Sequence, residues 1–546
     1  MHSALPRPSE QCPKSWIRML GPVLLALSVL SVCLSGARGG KVLVFPVGAS
    51  HWVNMNIIIE ELHSRGHSIT VVRDSNNWSI KEESPHYKAI TIPSSDTISS
   101  SDSVEGNTDS FIKKMLNIRI EGKPNWNTEQ SRELIEAFSN IHRDECAMVS
   151  AMFADEALMQ SLQEAKYDLV LSDPVIASGM FVAYRLKLPL VFNVRASLFG
   201  DPHTLIAPSP PSYVPVLSTG FSDRMSFSQR LWNWTVFMMS KLYQKQIAAD
   251  YSDFCNRFFG PDVNFMSLLQ NADLWLVRYD FTFEFPRPTM PNVVYIGGFQ
   301  CKPARPLPVD LEEFVNSSGE HGVIIMSLGT LVAEIPSDIT EEIAAAFAQL
   351  PQKVIWRYKG AKPSTLGNNT LLVDWLPQND LLGHPKTRVF VAHGGTNGVQ
   401  EAISHGVPIV GLPLMFDQPD NLSKMVVRGT AKVLDIATLD RAVFKDALEK
   451  VLYEPSYREN MQRLSRIHHD QPTKPLDRAI FWIEFIMRHG GAPHLRTQSF
   501  RMSWIAYHSI DVIMTLLMAL LLLLLIMFLA IKKCCSVLFK KKVKSE

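Results

Sequence analysis

Cysteine is scarce in this chain. Only seven of the 546 residues are cysteines, and four of them lie close to the two ends. The three in the body of the chain are Cys146, Cys255 and Cys301, an odd number without the paired spacing of a metal site. This scarcity excludes a small disulfide-stabilised scaffold and a cysteine-ligated metal domain.

Neither sign of charge is in excess. Lysine and arginine number 54, aspartate and glutamate 53, and the formal net charge is +1. A general nucleic-acid-binding role therefore lacks the basic surplus that it requires. No Asp-x-Asp occurs, which leaves a metal-bridged diphosphate site unsupported, and no Gly-x-Gly-x-x-Gly follows the first predicted strand, which disfavours a dehydrogenase. We expect neither a metal nor a bound cofactor.

Long apolar runs are confined to the two ends. Residues 19–35 follow basic residues and precede small ones, as in a secretory signal peptide, so we predict that residues 1–38 are a signal peptide, cleaved within 35–40; an uncleaved anchor is the less favoured alternative. Residues 512–531 are 20 uncharged residues, enough to cross about 30 Å of hydrocarbon as a helix. We predict a transmembrane helix at 510–531 and, because lysines follow it, a cytosolic tail at 532–546.

Two short signals indicate a location. Lysines stand third and fifth from the carboxyl end, as in signals for return to the endoplasmic reticulum, although a basic flank that only sets topology is the alternative. Five glycosylation motifs fit a lumenal body, at Asn77, Asn233, Asn316, Asn368 and Asn421. The sequence predicts a single-pass type I protein of the endoplasmic reticulum membrane with its catalytic body in the lumen.

Short apolar runs alternate with amphipathic segments in two successive halves. This alternation predicts parallel sheets covered by helices on both faces. We predict an α/β fold with two Rossmann-like, doubly wound domains facing a cleft, at 41–298 and 321–495, joined by a proline- and charge-rich linker at 299–320. Residues 94–110 are rich in serine, aspartate and threonine, which predicts a solvated loop. Residues 200–265 mix proline with aromatic residues and methionine, which predicts an irregular apolar insertion.

The stretch VAHGGTNGVQEAISHG, residues 391–406, carries the clearest functional pattern. An apolar strand ends in a histidine and two glycines before a helix, where free amides and the helix dipole favour a phosphate. Glu401, inside that helix, would repel a phosphate but suits ribose hydroxyls. Alone, the pattern fits a tight turn without a ligand equally well.

The segments on either side favour a ligand. Trp375 offers a stacking face for a planar base, and Gln378 lies close enough to bond the edge of that base. Asp417 and Gln418 follow another strand and suit sugar hydroxyls. A core tryptophan and a helix-capping aspartate are the alternatives, but consecutive strand ends of one domain favour a nucleotide-sugar site.

The segment WLPQNDLLGHPKTRVFVAHGGTNGVQEAISHGVPIVGLPLMFDQPDN, residues 375–421, closely resembles the signature of the UDP-glycosyltransferases, specifically the membrane-bound animal UDP-glucuronosyltransferases. Shorter motifs such as SHWVNM, LSDP and FPRPTMPNVVYIGG extend the resemblance over nearly all of 41–540. It implies the glycosyltransferase B fold, with the acceptor site in the amino-terminal domain and the donor site in the carboxyl-terminal one. It implies transfer of glucuronic acid from UDP-glucuronate to a hydroxyl of small lipophilic acceptors, forming β-glucuronides with inversion.

The resemblance also implies roles for individual donor-site residues. Trp375 resembles the uracil-stacking residue with Gln378 as its neighbour, and Glu401 resembles the ribose-binding acid. Asp417 and Gln418 match the pair that binds the sugar hydroxyls. The remaining donor contacts that it implies are Ser327, His393 and Gly395 at the diphosphate, together with Arg357 and Asn397.

Glycosyl transfer also requires a general base beside the acceptor hydroxyl. His51 lies just past the first predicted strand, and histidine is suited to accept a proton near neutral pH. Asp173 ends the segment YDLVLSD at the same edge of the predicted sheet and could orient the ring. A structural histidine and a turn-starting aspartate are the alternatives, but the resemblance implies that the two are the base and its orienting acid.

The donor sugar and the partners follow partly from the resemblance. Arg278 matches a position associated with the glucuronate carboxylate, which a guanidinium can bind with two hydrogen bonds. Ala392 stands where a threonine is usual and Phe416 where a glycine or alanine is usual, so UDP-glucose, UDP-galactose or UDP-N-acetylglucosamine remain alternative donors. A non-enzymatic lumenal partner or a lipid-binding module is disfavoured, and homo- or hetero-oligomerisation stays open.

Overall fold

The computed structural model describes residues 39–48, 50–77, 79–93, 104–123, 126–195, 201–332 and 334–543. The predicted signal peptide and the last three residues of the basic tail lie outside the described residues. The chain divides into two compact units, one ending at Ala492 and one beginning at Pro493. The first unit contains two α/β lobes.

The first lobe is built on a seven-stranded parallel sheet with the order β3-β2-β1-β4-β5-β6-β7. The direction of strand addition reverses between β1 and β4, which is the doubly wound arrangement. In chain order, the elements of this lobe are β1 (Lys41–Phe45), α1 (Ser50–Ser64), β2 (Ser68–Asp74), β3 (Lys88–Ile92), α2 (Val104–Ile120), α3 (Trp126–Ala154), α4 (Glu156–Glu164), β4 (Leu169–Ser172), α5 (Ser178–Leu186), β5 (Leu190–Val194), α6 (Pro202–Leu205), α7 (Phe227–Asp250), α8 (Ser252–Phe258), α9 (Phe265–Gln270), β6 (Leu274–Val277) and β7 (Val293–Tyr295).

The second lobe is built on a six-stranded parallel sheet with the order β10-β9-β8-β11-β12-β13, which reverses between β8 and β11. The remaining elements of the first unit are α10 (Val309–Asn316), β8 (Val323–Ser327), α11 (Ser337–Phe347), β9 (Lys353–Arg357), β10 (Thr370–Val373), α12 (Gln378–Leu382), β11 (Thr387–Ala392), α13 (Thr396–His405), β12 (Ile409–Gly411), α14 (Gln418–Val427), β13 (Ala431–Val433), α15 (Arg441–Tyr453), α16 (Pro455–His469) and α17 (Pro475–His489).

The central strands are buried along their whole length. Every residue of β4, β5 and β8 is buried, as expected for parallel strands covered on both faces. These buried strands coincide with the short apolar runs from which the sheets were predicted. The predicted class, two Rossmann-like domains, is confirmed.

The last helix of the unit returns to the first lobe. Arg65, directly after α1, donates to Asp477 of α17 at 2.9 Å, and His67 lies 3.3 Å from Glu484 of the same helix. The segment predicted as the second domain, 321–495, therefore contains a helix that contacts the first lobe. The predicted linker contains a helix as well, α10. The exact domain boundaries stay a proposal.

Two predicted irregular regions are helical instead. Residues 104–110, predicted as part of a loop, begin α2, whose later residues Ile112, Met115 and Leu116 are buried in the core of the second lobe. Residues 200–265, predicted as an irregular insertion, contain the 24-residue helix α7, which a capping box between Ser226 and Gln229 begins. Both helices are held by tertiary contacts, which local composition does not report.

The second unit contains a short helix, α18 (Trp504–Tyr507), and a long one, α19 (Ile510–Val543). Within α19, the 28-residue stretch Ile510–Val537 contains an unburied window of 18 residues with a mean hydropathy of 3.2. By length and composition this helix can cross a membrane, and it includes the predicted span.

Candidate active site

Both sheets carry predicted site residues at the point where the strand order reverses. His51 follows β1 and Asp173 follows β4, the pair of neighbours at the reversal of the first sheet. Ser327 ends β8 and His393 follows β11, the corresponding pair in the second sheet. Ligands of doubly wound folds bind outside the carboxyl ends of the strands at such points.

His51 and Asp173 form a hydrogen-bonded pair. His51 Nδ1 lies 2.6 Å from Asp173 Oδ2, and the carboxylate is almost fully buried while the imidazole keeps 21% exposure. The second carboxylate oxygen, Oδ1, accepts the backbone N–H of Val175 at 3.0 Å, which fixes its orientation. Because the carboxylate holds Nδ1, Nε2 is the ring nitrogen left to face a ligand.

Two residues beside this pair were missed by the sequence reasoning. Arg195, directly after β5, donates to the Ser50 hydroxyl at the start of α1. Asn54, one turn into α1, is fully buried and donates to the Ser50 carbonyl at 2.9 Å. Arg195 carries the same signal as Asp173, a polar residue directly after an apolar strand. Nothing in the pattern distinguishes Asn54 from other polar residues on a helix.

In the second lobe, the first of the predicted donor-site residues along the chain is an exposed tryptophan. Trp375 is 69% exposed, and the Arg357 guanidinium carbon lies 5.8 Å from its ring centroid. Gln378 Nε2 donates to Glu401 Oε2 at 2.6 Å. Burial raises the pKa of Glu401 to about 7, so this carboxyl group is partly protonated near neutral pH. An open indole, an amide and a carboxyl group suit the base and hydroxyls of a nucleoside.

The turn between β11 and α13 depends on two glycines. Gly394 has a φ of +91°, and a methyl group there would come within 2.6 Å of Leu422 Cγ, so glycine is required. At Gly395 an added methyl group would lie 2.5 Å from His393 Nε2. The imidazole therefore lies directly against the backbone at the N-terminus of α13.

His393 is neutral in this position. Burial is the main cause that lowers its pKa to about 4, and the positive charges of Arg195 and Arg357 act in the same direction. The ring also lies against Gly329, where a methyl group would come within 2.7 Å of it. The neutral imidazole thus lies between the backbone at Gly329 and the N-terminus of α13. This arrangement forms a cradle of the kind that binds phosphate groups.

Asp417 is held by neighbours in its own lobe. Its Oδ2 accepts from the Thr396 hydroxyl at 2.7 Å and from Asn421 Nδ2 at 2.8 Å, and it makes no helix-capping hydrogen bond. Gln418 Oε1 accepts the backbone N–H groups of Leu414 at 2.8 Å and of the next residue at 3.0 Å. Gln418 thus shapes the loop that carries Asp417, and Thr396 and Asn421 are further residues that the sequence reasoning missed.

Arg278 links the two lobes. It is buried at the end of β6, and its Nη2 donates to Asn397 Oδ1 at 2.5 Å, an oxygen that also accepts from Asn54 at 3.4 Å. Burial lowers the pKa of Arg278 to about 9, with Arg195 adding to the effect, yet the guanidinium stays charged at neutral pH. A second link is Gln400 of α13, which donates to the Arg278 carbonyl. Arg278 and Asn397, predicted from separate motifs, therefore meet.

The two departures from the usual signature have structural consequences. Ala392 is buried at the end of β11, paired with Ser327. Phe416 has a φ of +59°, a left-handed conformation that costs a residue with a side chain about 1–2 kcal/mol. Its ring packs against the core of the second lobe, which offsets part of that cost.

The helical hairpin α2–α3 reaches from the first lobe to the loop before Asp417. Gln130 Nε2 is buried and donates to the Met115 carbonyl at 2.7 Å and to the Leu414 carbonyl at 3.0 Å. Arg119 Nε donates to the Pro413 carbonyl at 3.3 Å. Together with Gln418, these side chains hold the loop from both sides.

Replacing Gln130 with leucine is therefore expected to weaken donor binding. The substitution keeps the volume but leaves two carbonyl groups without their donor, which costs about 1–3 kcal/mol of stability and loosens the loop. We expect the KM for the UDP-sugar to rise by about 5-fold with kcat within about 2-fold. Gln352→Leu, which removes a buried amide bonded to Tyr453, is the matched control and should lower stability alone. Equal KM values in the two variants would contradict the role.

Among the described residues, no group of three or more His, Cys, Asp or Glu side chains is arranged to hold a metal ion. The expectation of metal-independent transfer remains a prediction, and so do the individual roles of the predicted site residues.

Comparison with known proteins identifies relatives over the whole body of the chain. The family model described as "UDP-glucoronosyl and UDP-glucosyl transferase" matches residues 40–546. UDP-glucuronosyltransferase 2A1 of Mus musculus is 42% identical over 530 residues, which cover 96% of this chain and 98% of the relative. UDP-glucuronosyltransferase 2B13 of Oryctolagus cuniculus is 44% identical over 527 residues, which cover 95% and 96%.

Solved structures agree on the fold. The kitacinnamycin glycosyltransferase matches with a TM-score of 0.55 at 19% identity and covers 82% of this chain and 100% of its own. Phytolacca americana UGT2 matches with a TM-score of 0.55 at 14% identity, covering 83% and 99%. The glycosyltransferase B architecture expected from the sequence is thereby confirmed. Predicted site residues lie where the strand order of each sheet reverses, and the family model and the relatives cover nearly the whole chain. The chain is therefore a glycosyltransferase that belongs to the family of UDP-glucuronosyl and UDP-glucosyl transferases.

Proposed function

We propose that this protein transfers glucuronic acid from UDP-glucuronate to a hydroxyl group of small lipophilic acceptors. The observation that carries the proposal is the His51–Asp173 pair at the point where the strand order of the first sheet reverses. This pair belongs to the same compact unit as the predicted donor-site residues of the second sheet. The names of the relatives, which are UDP-glucuronosyltransferases, support this donor. UDP-glucose, UDP-galactose and UDP-N-acetylglucosamine are the less favoured alternatives.

The proposed reaction is a single displacement. His51 Nε2 removes the proton of the acceptor hydroxyl, and the oxygen forms a bond to the anomeric carbon as the bond from that carbon to the diphosphate oxygen breaks. Asp173 holds the Nδ1–H and stabilises the imidazolium that forms. Attack opposite the leaving group converts an α-linked donor into a β-linked product.

The leaving diphosphate is proposed to lie in the cradle formed by Ser327, His393 and Gly395. The N-terminus of α13 and its free amides stabilise the charge that develops on the diphosphate, as in other preorganised anion sites. Trp375 and Glu401 are proposed to hold the uridine, and Asp417 with Gln418 the sugar.

A panel of UDP-sugars tests the proposal. The full-length protein in membranes, supplied with a simple phenol and each donor in turn, is expected to turn over UDP-glucuronate at least about 10-fold faster than the other donors. Turnover of UDP-glucose alone would overturn the proposed donor but not the family. No turnover with any UDP-sugar would overturn both.

Arg278 is expected to determine the preference for a carboxylate-bearing sugar. Replacing it with leucine should lower kcat/KM for UDP-glucuronate by about 10- to 100-fold, since a hydrogen bond to a charged group contributes about 1.5–3 kcal/mol. UDP-glucose use should fall far less, because that sugar has no carboxylate. Arg195→Leu, which removes a nearby positive charge, is the matched control and should affect both donors alike. An equal loss with both donors in Arg278→Leu would contradict this role.

The acceptor pocket is proposed to include a cavity of about 70 Å³ between the lobes. Its apolar wall includes Val214, Phe221 and Phe237, within residues 200–265, which were predicted as an irregular apolar insertion. Asn421, which is bonded to Asp417, also lines the cavity. An apolar wall that ends at the donor sugar suits a lipophilic acceptor.

We further propose that the protein lies in the endoplasmic reticulum membrane, with α19 as its single span and the catalytic body in the lumen. The relatives and the apolar helix support membrane association. Asn316 and Asn368 are exposed and open to a glycan. Asn233 and Asn421 are buried in hydrogen bonds, so these two motifs do not fit a glycan in the folded protein.

A further inference from the structure

One face of α7 is apolar and exposed. Phe227 is 75% exposed and Leu242 is 66% exposed, and both tryptophans between them are 53% exposed. Among the described side chains of residues 39–492, no other helix exposes more than two large apolar residues. We call the exposed apolar residues of this helix the outer face of α7; they are Phe227, Leu231, Trp232, Trp234, Met238, Met239 and Leu242.

These residues form a continuous stripe on the helix. Five of them follow one another at intervals of four, three, four and four residues, which places them on one side of an α-helix. Trp232 and Met239, seven residues apart, widen the stripe on one flank. The exposed apolar groups are therefore contiguous, which isolated surface hydrophobics are not.

The opposite face of α7 is buried and holds the helix in place. Asn233 is fully buried, with Nδ2 donating to the Pro211 and Val214 carbonyls at 2.7 and 2.9 Å and Oδ1 accepting the Val216 N–H at 2.8 Å. Gln244 is also buried. A surface helix of a globular protein places its apolar side inward. In α7 the buried side combines Asn233 and Gln244 with the apolar Ile247, and a second apolar face points outward. This outer apolar face makes no contribution to the core.

We propose that the outer face of α7 docks on a phospholipid bilayer. No acidic residue occurs from Phe227 to Ala249, and Arg230 and Lys245 are exposed beside the stripe. A basic helix with tryptophan, phenylalanine and leucine on one face lies in the interface of a membrane, where its cations meet phosphate groups. Tryptophan is enriched at this depth because its ring is apolar and its N–H is polar.

The same chain favours lipid over another protein as the occupant. It carries a helix apolar enough to cross a membrane, Ile510–Val537, and with that helix as the proposed span a lipid surface accompanies every copy. A second copy paired through the same face would bring an identical basic rim with no acidic counterpart. Docking through α7 gives the body a contact with lipid that is separate from the anchor.

Photolabelling of the full-length protein tests the proposal. The protein is reconstituted in phosphatidylcholine vesicles that contain a diazirine-bearing phospholipid, irradiated, digested and analysed by mass spectrometry. Lipid adducts are expected in two segments, 227–242 and 510–537, of which the second is the internal positive control. Adducts confined to 510–537 would overturn the proposal. A zero-length cross-link between the 227–242 segments of two copies, without lipid adducts there, would assign the face to a dimer.

A triple variant shows whether the apolar stripe causes the contact. Leu231→Gln, Trp234→Gln and Met238→Gln together should reduce adducts in 227–242 at least about 5-fold and leave those in 510–537 unchanged, since glutamine keeps the helix but not the apolar surface. Val427→Gln, Val443→Gln and Ile467→Gln, at exposed positions of other helices, form the matched control and should change neither segment. Undiminished adducts in the first variant would overturn the proposal. Turnover of a water-soluble phenol reports whether each variant is folded.

Discussion

Replacing His51 with alanine is expected to lower kcat on the order of 10³-fold, the scale of a lost general base. His51 is the residue of the first lobe that combines a buried carboxylate partner at 2.6 Å with a ring open on its other side. Without it, the acceptor hydroxyl must attack while still protonated. The affinity for UDP should stay within about 3-fold, because the residues proposed to hold the nucleotide belong to the other lobe. Turnover assays and calorimetric titration with UDP measure the two quantities separately.

A second histidine gives a matched control for this loss. His468 Nδ1 lies 2.7 Å from Asp280 Oδ2, which is nearly the same pair geometry, but neither residue follows a strand at a reversal point. His468→Ala should lower thermal stability and leave kcat within about 5-fold. If both variants lost activity equally, the loss would reflect the removal of a hydrogen-bonded pair and not of a base. Activity of His51→Ala within 10-fold of the unaltered protein would refute the mechanism.

The positions of Asp173 and His393 could be predicted because each directly follows an apolar strand, and that of His51 because it lies at the start of the helix after β1. In a parallel sheet all such positions lie at one edge, so linear order alone indicates that they converge. The donor row from Trp375 to Gln418 was found in the same way, as consecutive strand ends. Both sheets were predictable because buried parallel strands are almost wholly apolar.

Features that depend on packing between distant segments could not be predicted. Asn54, Arg278 and Asn397 come from three separate segments, and their contact exists only because the two lobes meet. The shifted pKa of Glu401 depends on burial that no local pattern reports. The hairpin α2–α3 was missed because its apolar residues lie in the core of the other lobe.

Replacing Asp173 with asparagine is expected to lower kcat about 10³-fold with little loss of stability, because an imidazole in the wrong tautomer is nearly as inactive as a missing one. The asparagine oxygen can keep the 3.0 Å hydrogen bond from the Val175 N–H, which leaves the amide NH₂ facing His51 Nδ1. That NH₂ donates, so Nδ1 becomes the acceptor and the ring proton moves to Nε2. The nitrogen that should take the acceptor's proton is then already protonated. Steady-state rates and a thermal melt measure the two effects.

The double variant His51→Ala/Asp173→Asn decides whether the pair acts as one unit. If Asp173 acts only by orienting and stabilising the imidazole, the aspartate has no task once the imidazole is gone, and the double variant should be no slower than His51→Ala alone. Multiplication of the two losses would instead assign Asp173 an independent role, such as shaping the turn at Val175. Asp173→Ala separates these cases further, since it leaves the Val175 N–H without its acceptor and should cost about 1–3 kcal/mol of stability that Asp173→Asn retains. Equal stability of the two Asp173 variants would show that the hydrogen bond from Val175 contributes nothing to the fold.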